Sequence, residues 1–438
     1  MTLFITPRDR SNTLIKNCYY HEGIAPLVYP PLTGAVKADV CIVGGGFSGL
    51  AAADYLQQAG LKVVLLEREH IGWGASGRNG GQVLHGFNQS LDWLMKKLGE
   101  ADGVALWRDT LDTIRTIAAR VHRWGIACDW QEGVIIACPN RDAVAALKQE
   151  IALWAAHLGH ELKTLDRQQI SDHLGSPLYQ GGAYDSAGRH FHPYKYALGF
   201  AKGLTDRGVQ IYQGTPALAV NKGTVTTPQG QVSAGTVIYC GNAYQGGLLP
   251  QFRERVVLMR TSMLATEPLP QEVLSTVMPS NTSVYEWCNL LNYYRLTADG
   301  RLLFGGGDSP MGRGADASEV VYAGLTRAMV RTFPQLKDVR PSHYWSGTIA
   351  ITSTNMPYVT RLADGAYVTG GYSGHGVVPS HLMGRYVAEA ILGNEQNMAT
   401  MARLTPFKIP GSGRYDRVLS RTALTLMQWQ DKFHNLKS

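Results

Sequence analysis

Gly44-Gly45-Gly46-Phe47-Ser48-Gly49 fits G-x-G-x-x-G, the spacing by which a backbone wraps phosphates. Such a match alone is weak, but its flanks support it. "ADVCIVGGG" reads as a short buried strand stopping at the glycines, "FSGLAAADYLQQAG" as a helix ending at Gly60, and "LKVVLLE" as a second buried strand, closing a β-α-β unit. Gly44 permits the tight turn, Gly46 admits a pyrophosphate, and Gly49 lets helix and strand pack. The helix N-terminus, with Phe47 and Ser48, then turns unpaired N–H groups on the phosphates. Glu67 ends the second strand, followed by Arg68. A carboxylate there accepts hydrogen bonds from ribose hydroxyls and repels a 2′-phosphate, so NADP is disfavoured and NAD or FAD remains.

A second stretch, "IGWGASGRNGGQ" (residues 71–82), begins just after Glu67 on the same sheet edge and holds five glycines in twelve positions. Backbone this bare admits another molecule against the peptide plane. A nicotinamide has no general need for a second glycine-rich shelf here. A flavin needs backbone along its pyrophosphate, ribityl chain and ring, so the shelf favours FAD. The chain carries one such fingerprint, which argues against separate flavin and nicotinamide sites.

These motifs sit in a chain of 438 residues, 45% hydrophobic and 17% charged, a balance that folds and is long for one simple core. The formal charge is +7 with a pI near 9.0, yet the 41 Lys and Arg are scattered, so no nucleic-acid partner is expected. Six cysteines (Cys18, Cys41, Cys128, Cys138, Cys240, Cys288) show no metal-binding or C-x-x-C spacing and read as buried thiols of a cytoplasmic protein; no metal set emerges. Neither an integral membrane segment nor a signal-peptide pattern is expected.

The elements positioning the motifs follow from periodicity. Residues 1–35 are an irregular lead-in. Residues 91–125 carry helical spacing, "CDWQEGVIIACP" looks like strands around a turn at Gly133, and "RDAVAALKQEIALWAAHLG" is helical. "VTTPQGQVSAGTVIYCGNAY" reads as a hairpin entering an apolar strand that ends at Cys240-Gly241. Residues 255–310 are strand-like with aromatics, and "YVTGGYSGHGVVPSHLMGRYVAEAILG" is strand, glycine turn and helix.

Together, "DVCIVGGGFSGLAAADYLQQAG", "GASGRNGG" and "GYSGHG" resemble the FAD-dependent amine and amino-acid oxidoreductases of the D-amino-acid oxidase superfamily. "GNAY", "YYRLTADGRLLFGGG" and "TFPQL" are most similar to its gamma-glutamylputrescine-oxidising branch, over about residues 17–400. The resemblance implies a mixed α/β fold: a Rossmann-like FAD domain (36–125, 191–250 and 345–400) interleaved with a substrate domain on an antiparallel sheet (126–190 and 251–344), and a C-terminal extension (401–438). It places Gly74, Ala75, Ser76 and the run Arg78, Asn79, Gly80, Gly81, Gln82 along the cofactor, Cys240 and Gly241 near the adenine side, and Gly371, Tyr372, Ser373, Gly374, His375 and Gly376 at the flavin ring. The residues agree, since that last turn opens a helix with Pro379 in its first turn, whose positive end suits the ring's N1 and C2 carbonyl. Several relatives tether FAD through a cysteine near this chain's "WSGTIA"; residues 345–350 contain none, so FAD is expected to be non-covalent. Some that oxidise N-methyl amino acids place a lysine where this chain has Val378, which favours an amine over an α-amino acid.

The implied reaction passes a hydride equivalent from the carbon beside nitrogen to the flavin, with water hydrolysing the imine to aldehyde and ammonia, and molecular oxygen leaving as peroxide. An alkylamine titrates near 10.4, about the value of lysine, so an apolar pocket favours its reactive neutral form. Tyr293, Tyr294 and Arg295 in "LLNYYRLTADG" are candidates for the substrate roof, two tyrosines boxing the amine and arginine drawing a distant carboxylate; the same pattern fits a strand alternating between core and surface. Trp345 is a flavin wall or core, and His375 a ring contact or proton relay. His190 and His192 in "GRHFHP" suit a helix entry. The rivals are a dehydrogenase passing electrons to a quinone or carrier, with "ALTLMQWQDKFHNLK" as a surface anchor, an RNA-acting flavoprotein, and a binding protein with FAD as scaffold. Oligomeric state is not legible.

Overall fold

The computed structural model describes residues 18–310 and 315–425, with side chains described except at 315–318. The first part of the lead-in, and the proposed surface anchor from residue 426 on, lie outside the described residues.

Two sheets organise the chain. In the first, the order is β16 (Tyr358–Arg361), β17 (Tyr367–Gly370), β10 (Gly230–Tyr239), β1 (Gly34–Val43), β2 (Val63–Leu66) and β7 (Gln210–Tyr212). β17, β10, β1, β2 and β7 run parallel, β16 is antiparallel, and a hairpin of β8 (Ala219–Asn221) and β9 (Thr224–Thr226) extends β10. Being covered on both faces, β2 and the end of β1 from Val40 to Val43 are apolar. Val40 and Ile42 of β1 pack in one core cluster with helix α1 (Phe47–Gln58), while Cys41 joins the cluster on the opposite face.

The second sheet runs β15 (Pro341–Thr352), β11 (Val256–Thr266), β14 (Leu302–Pro310), β13 (Tyr293–Leu296), β12 (Ser283–Glu286), β4 (Gln131–Cys138), β6 (Gly181–His190) and β3 (Gln82–Val83), with β5 (Lys163–Leu165) paired to β6. All its pairs are antiparallel except β12 with β4. "CDWQEGVIIACP" is one strand, not two around a turn: at Gly133 the register of β4 on β6 shifts, and φ of +90° there makes an irregularity within the strand. The domain boundary expected at 345 falls within β15, so residues 345–352 belong to the second sheet.

The interleaving is closed by helix α2 (Val377–Ile391), which packs on α1. Asp54 of α1 is joined to Arg120 of the long helix Glu100–Arg123 by hydrogen bonds of 2.6 and 3.0 Å, and Tyr196 accepts from the same guanidinium at 3.2 Å. Both charges are buried, a pairing that fixes which helices meet and makes loss of either partner costly, about 3–5 kcal/mol.

Candidate active site

Between the two sheets lies a cavity of about 1750 Å³, larger than the ~300–1,000 Å³ typical of a small-ligand pocket. One end of it is built at the carboxyl ends of β1 and β2. Gly44 has φ +119°, and a Cβ on it would sit 2.8 Å from the backbone of Cys240. Gly49 does not line the cavity; a Cβ on it would meet the Gly44 carbonyl oxygen at 2.1 Å, so it is the contact by which α1 closes on the strand. Gly46 caps α1 without any side-chain bond to the first turn, and only Phe47 N–H is taken, by Ser76 Oγ at 2.9 Å. Glu67 accepts from the N–H groups of Gly45 (2.7 Å) and Glu69 (2.9 Å), and burial raises its carboxyl above the usual value. Ser48, Arg68, Cys240 and Gly241 line the same end.

The shelf is braced from within. Asn79 donates to the carbonyls of Ala75 and Ser76 (both 3.0 Å) and accepts from Gly81 N–H (2.8 Å), while Gln82 donates to Val284 O of β12 (2.8 Å). Gly74, Gly80 and Gln82 line the cavity; Gly81 turns beneath it. Arg78 is buried, donates to Trp73 O, and lies 4.5 Å from the Trp73 ring centroid. Its Nε has no partner, and among the described residues no carboxylate pairs with it. A buried cation without a counter-charge, beside a wall open to a large cavity, fits an anionic diphosphate.

The roof is the second sheet. Trp345 is buried at the cavity wall and donates its indole N–H to Arg78 O (2.9 Å). Tyr293 faces the cavity above Gly80 and sits 3.5 Å from Thr261 Oγ1. Tyr294 and Arg295 do not line it, in contrast to the expected substrate roof. Tyr294, next along a strand of period two, points to the far core and donates to Tyr179, which donates to Glu286. Arg295 returns to Tyr293's face but is buried under the shelf, donating to Gly80 O (2.8 Å) and Tyr20 Oη (3.2 Å).

The glycine turn before α2 forms the third wall. Gly371 stands behind it, its N–H bonded to Asn242 Oδ1 (2.8 Å); Tyr372, Ser373, Gly374, His375 and Gly376 line the cavity. Gly376 also leaves its helix without a side-chain cap, so a second uncapped N-terminus opens on this space. Pro379 is the third residue of α2, within the turn whose N–H groups lack helical partners. His375 places Nε2 3.3 Å from Leu84 O; a carbonyl only accepts, so Nε2 carries the proton and Nδ1 keeps its lone pair. Burial lowers this imidazole to about 4, so it is neutral at ordinary pH. His190 and His192 serve structure: His190 lies 3.2 Å from Asn281 O, and His192 caps helix Pro193–Thr205 by accepting from Lys195 N–H.

Sequence reading missed the deep end. Trp107 donates to His85 Nδ1 (3.1 Å), His85 Nε2 lies 3.3 Å from Asp185, and His160 lies 3.2 Å from the same carboxylate. Burial raises Asp185, but the two imidazoles outweigh it and hold the carboxyl far below its usual range. These donor atoms lie within 4.8 Å of one another, as a metal site requires, but the indole bond to Nδ1 leaves the proton on Nε2, the atom a metal would need. Two imidazoles thus flank one buried carboxylate, and the indole bond fixes one of them. The members of this cluster stand at positions 85, 107, 160 and 185, with no local signal to join them. Thr261 and Asp308 of the roof were missed as well.

The family model for FAD dependent oxidoreductases matches residues 39–390. The chain is 35% identical to gamma-glutamylputrescine oxidoreductase of Escherichia coli K12, covering 89% of this chain and 92% of that one. It is 34% identical to the probable oxidoreductase OrdL of Haemophilus influenzae, over 96% and 98% of the two chains. Among solved structures, glycine oxidase of Geobacillus kaustophilus superposes with a TM-score of 0.67 at 20% identity, over 82% of this chain and 95% of that one, a likeness of fold.

Proposed function

From the premise that this chain belongs to the FAD dependent oxidoreductase family, of the D-amino-acid oxidase superfamily, we propose that it oxidises an amine of the gamma-glutamylputrescine type. FAD supplies the two-electron acceptor at this site. The chain's own part is to hold, enclose and orient. The uncapped N-terminus of α1 and the buried Arg78 guanidinium would hold the diphosphate, Glu67 the ribose hydroxyls, and the shelf from Gly74 to Gln82 the remainder. No cysteine lies on the 345–350 stretch where the resemblance implies a tether, which supports a cofactor held without a covalent bond.

Tyr293, Trp345 and Met263 enclose the reacting end and exclude water. His375, neutral and with a lone pair on Nδ1, can accept a proton there. The observation that carries the substrate assignment is the identity to a gamma-glutamylputrescine oxidoreductase along nearly the whole of both chains. A cavity wall supports it: Val378, apolar and buried, lines the cavity at the position where the family resemblance implies a carboxylate-holding lysine in enzymes acting on N-methyl amino acids. The product imine hydrolyses to an aldehyde and ammonia, and molecular oxygen takes the electrons as hydrogen peroxide. Among the described residues no helix is long and apolar enough to cross a membrane. The six free cysteines suit a cytoplasmic setting.

Anaerobic mixing of the purified yellow protein with gamma-glutamylputrescine, putrescine and a series of α-amino acids tests the reading. The amines bleach it faster than the amino acids; faster bleaching by an α-amino acid overturns the substrate class. Oxygen consumption without added acceptor separates an oxidase from a dehydrogenase.

A further inference from the structure

β14 and β11 do not pair evenly. Arg260 stands opposite Ser309 and Ser262 opposite Gly306, so Thr261 alone faces two residues, Gly307 and Asp308. This is a β-bulge, and its first residue is a glycine at φ +62°, a conformation that other residues rarely adopt. A bulge turns a side chain away from the alternation of the strand. Here the re-aimed residue is Asp308, which lines the cavity on the roof it shares with Tyr293 and Thr261. Asp308 is exposed, and it lines that space.

Among the described residues no Lys, Arg or His pairs with Asp308, although the protein carries 41 Lys and Arg. A carboxylate at the wall of a cavity concentrates the field there and draws cations to it. Asp308 is exposed at the cavity wall with no cation matched to it among the described residues, and a purely structural bulge has no need of an acid at that point.

Resting on the amine-oxidation reading above, we propose that Asp308 is the specificity residue that receives the ammonium group of a cationic substrate, and that it excludes substrates bearing a carboxylate on the reacting carbon. An α-amino acid would bring its carboxylate against this acid, whereas an amine with any carboxylate far along its chain would not. The bound ammonium must lose a proton before its neighbouring carbon–hydrogen bond breaks. Desolvation at the cavity wall raises the Asp308 carboxyl above its ordinary value, so this oxygen can receive that proton as the N–H bond breaks and an O–H bond forms.

The test uses the FAD-loaded protein and tert-butylammonium chloride, a cation with no hydrogen on the carbon beside nitrogen and therefore bound without being oxidised. Binding is followed by calorimetry in wild type, Asp308→Asn and Asp308→Glu, each checked for a native thermal transition and full flavin content. The expected result is binding to wild type, at least tenfold weaker binding to Asp308→Asn, and partial recovery in Asp308→Glu, with glycine binding unchanged or tighter in Asp308→Asn. Equal affinity in wild type and Asp308→Asn, or no binding to wild type, overturns the proposal. If the cation binds in this pattern while no amine bleaches the wild-type flavin, the cation site stands and the amine-oxidation reading is what fails.

Discussion

The indole N–H of Trp345 donates to the carbonyl of Arg78 at 2.9 Å, joining the last strand of the roof to the middle of the glycine shelf. Residues 267 positions apart thereby fix the separation of the cavity's two walls. Replacement of Trp345 by Phe keeps the ring and removes the donor, stranding a buried carbonyl at a cost of about 1–3 kcal/mol. We expect a lower thermal midpoint and faster loss of FAD on dilution. An unchanged midpoint and unchanged flavin retention would show that the bond does not set the spacing.

Glu67 accepts two backbone N–H groups at once, from Gly45 and Glu69. A glutamine can satisfy only one of them and turns its own N–H₂ on the other. Glu67→Gln should therefore weaken FAD binding at least tenfold, about 1.4 kcal/mol, with the far-ultraviolet spectrum preserved. Flavin fluorescence released on serial dilution measures it.

Because a Cβ at position 49 would press to 2.1 Å on the Gly44 carbonyl oxygen, Gly49→Ala must push α1 off its strand. Overpacking of this kind costs about 1–3 kcal/mol. Urea unfolding should show a lower midpoint with a similar slope, and the protein should emerge from purification short of FAD. A midpoint equal to wild type would refute the close packing described here.

Three fully buried imidazoles set an acid limit. Burial holds His190, His192 and His381 down to about 3, 2 and 3, whereas each titrates near 6.5 in the unfolded chain. Below pH 6.5 the unfolded chain takes up protons that the native fold refuses. Stability that is complete above 6.5 is lost as pH falls toward 3, with each histidine contributing a slope approaching about 1.4 kcal/mol per pH unit. Urea midpoints measured from pH 7.5 to 4.5 should fall steadily below 6.5; a flat profile contradicts the neutral burial of these rings.

What the sequence made legible was local. The fingerprint at 44–49, Glu67, the shelf and the turn before α2 are runs of neighbouring residues whose backbone demands a glycine or a strand end declares. Tyr293 was legible as a roof residue, but Tyr294 and Arg295 were not separable from it, because which face a strand residue takes depends on register with distant partners. The same cause hid Asp308: its glycine-rich neighbourhood was visible, while the bulge exists only once β11 lies beside β14. The boundary at 345 missed for a related reason, since β15 pairs with β11 from almost ninety residues earlier.

The order of strands in the first sheet has a consequence for biosynthesis. β1 has β10 as its neighbour, β10 in turn needs β17 at residues 367–370, and α1 is covered by a helix that ends at Ile391. A nascent polypeptide leaving the ribosome thus displays its nucleotide cradle early and cannot complete it until nearly the whole message has been read. A product truncated ahead of that helix should therefore leave α1 uncovered and fail to retain the flavin.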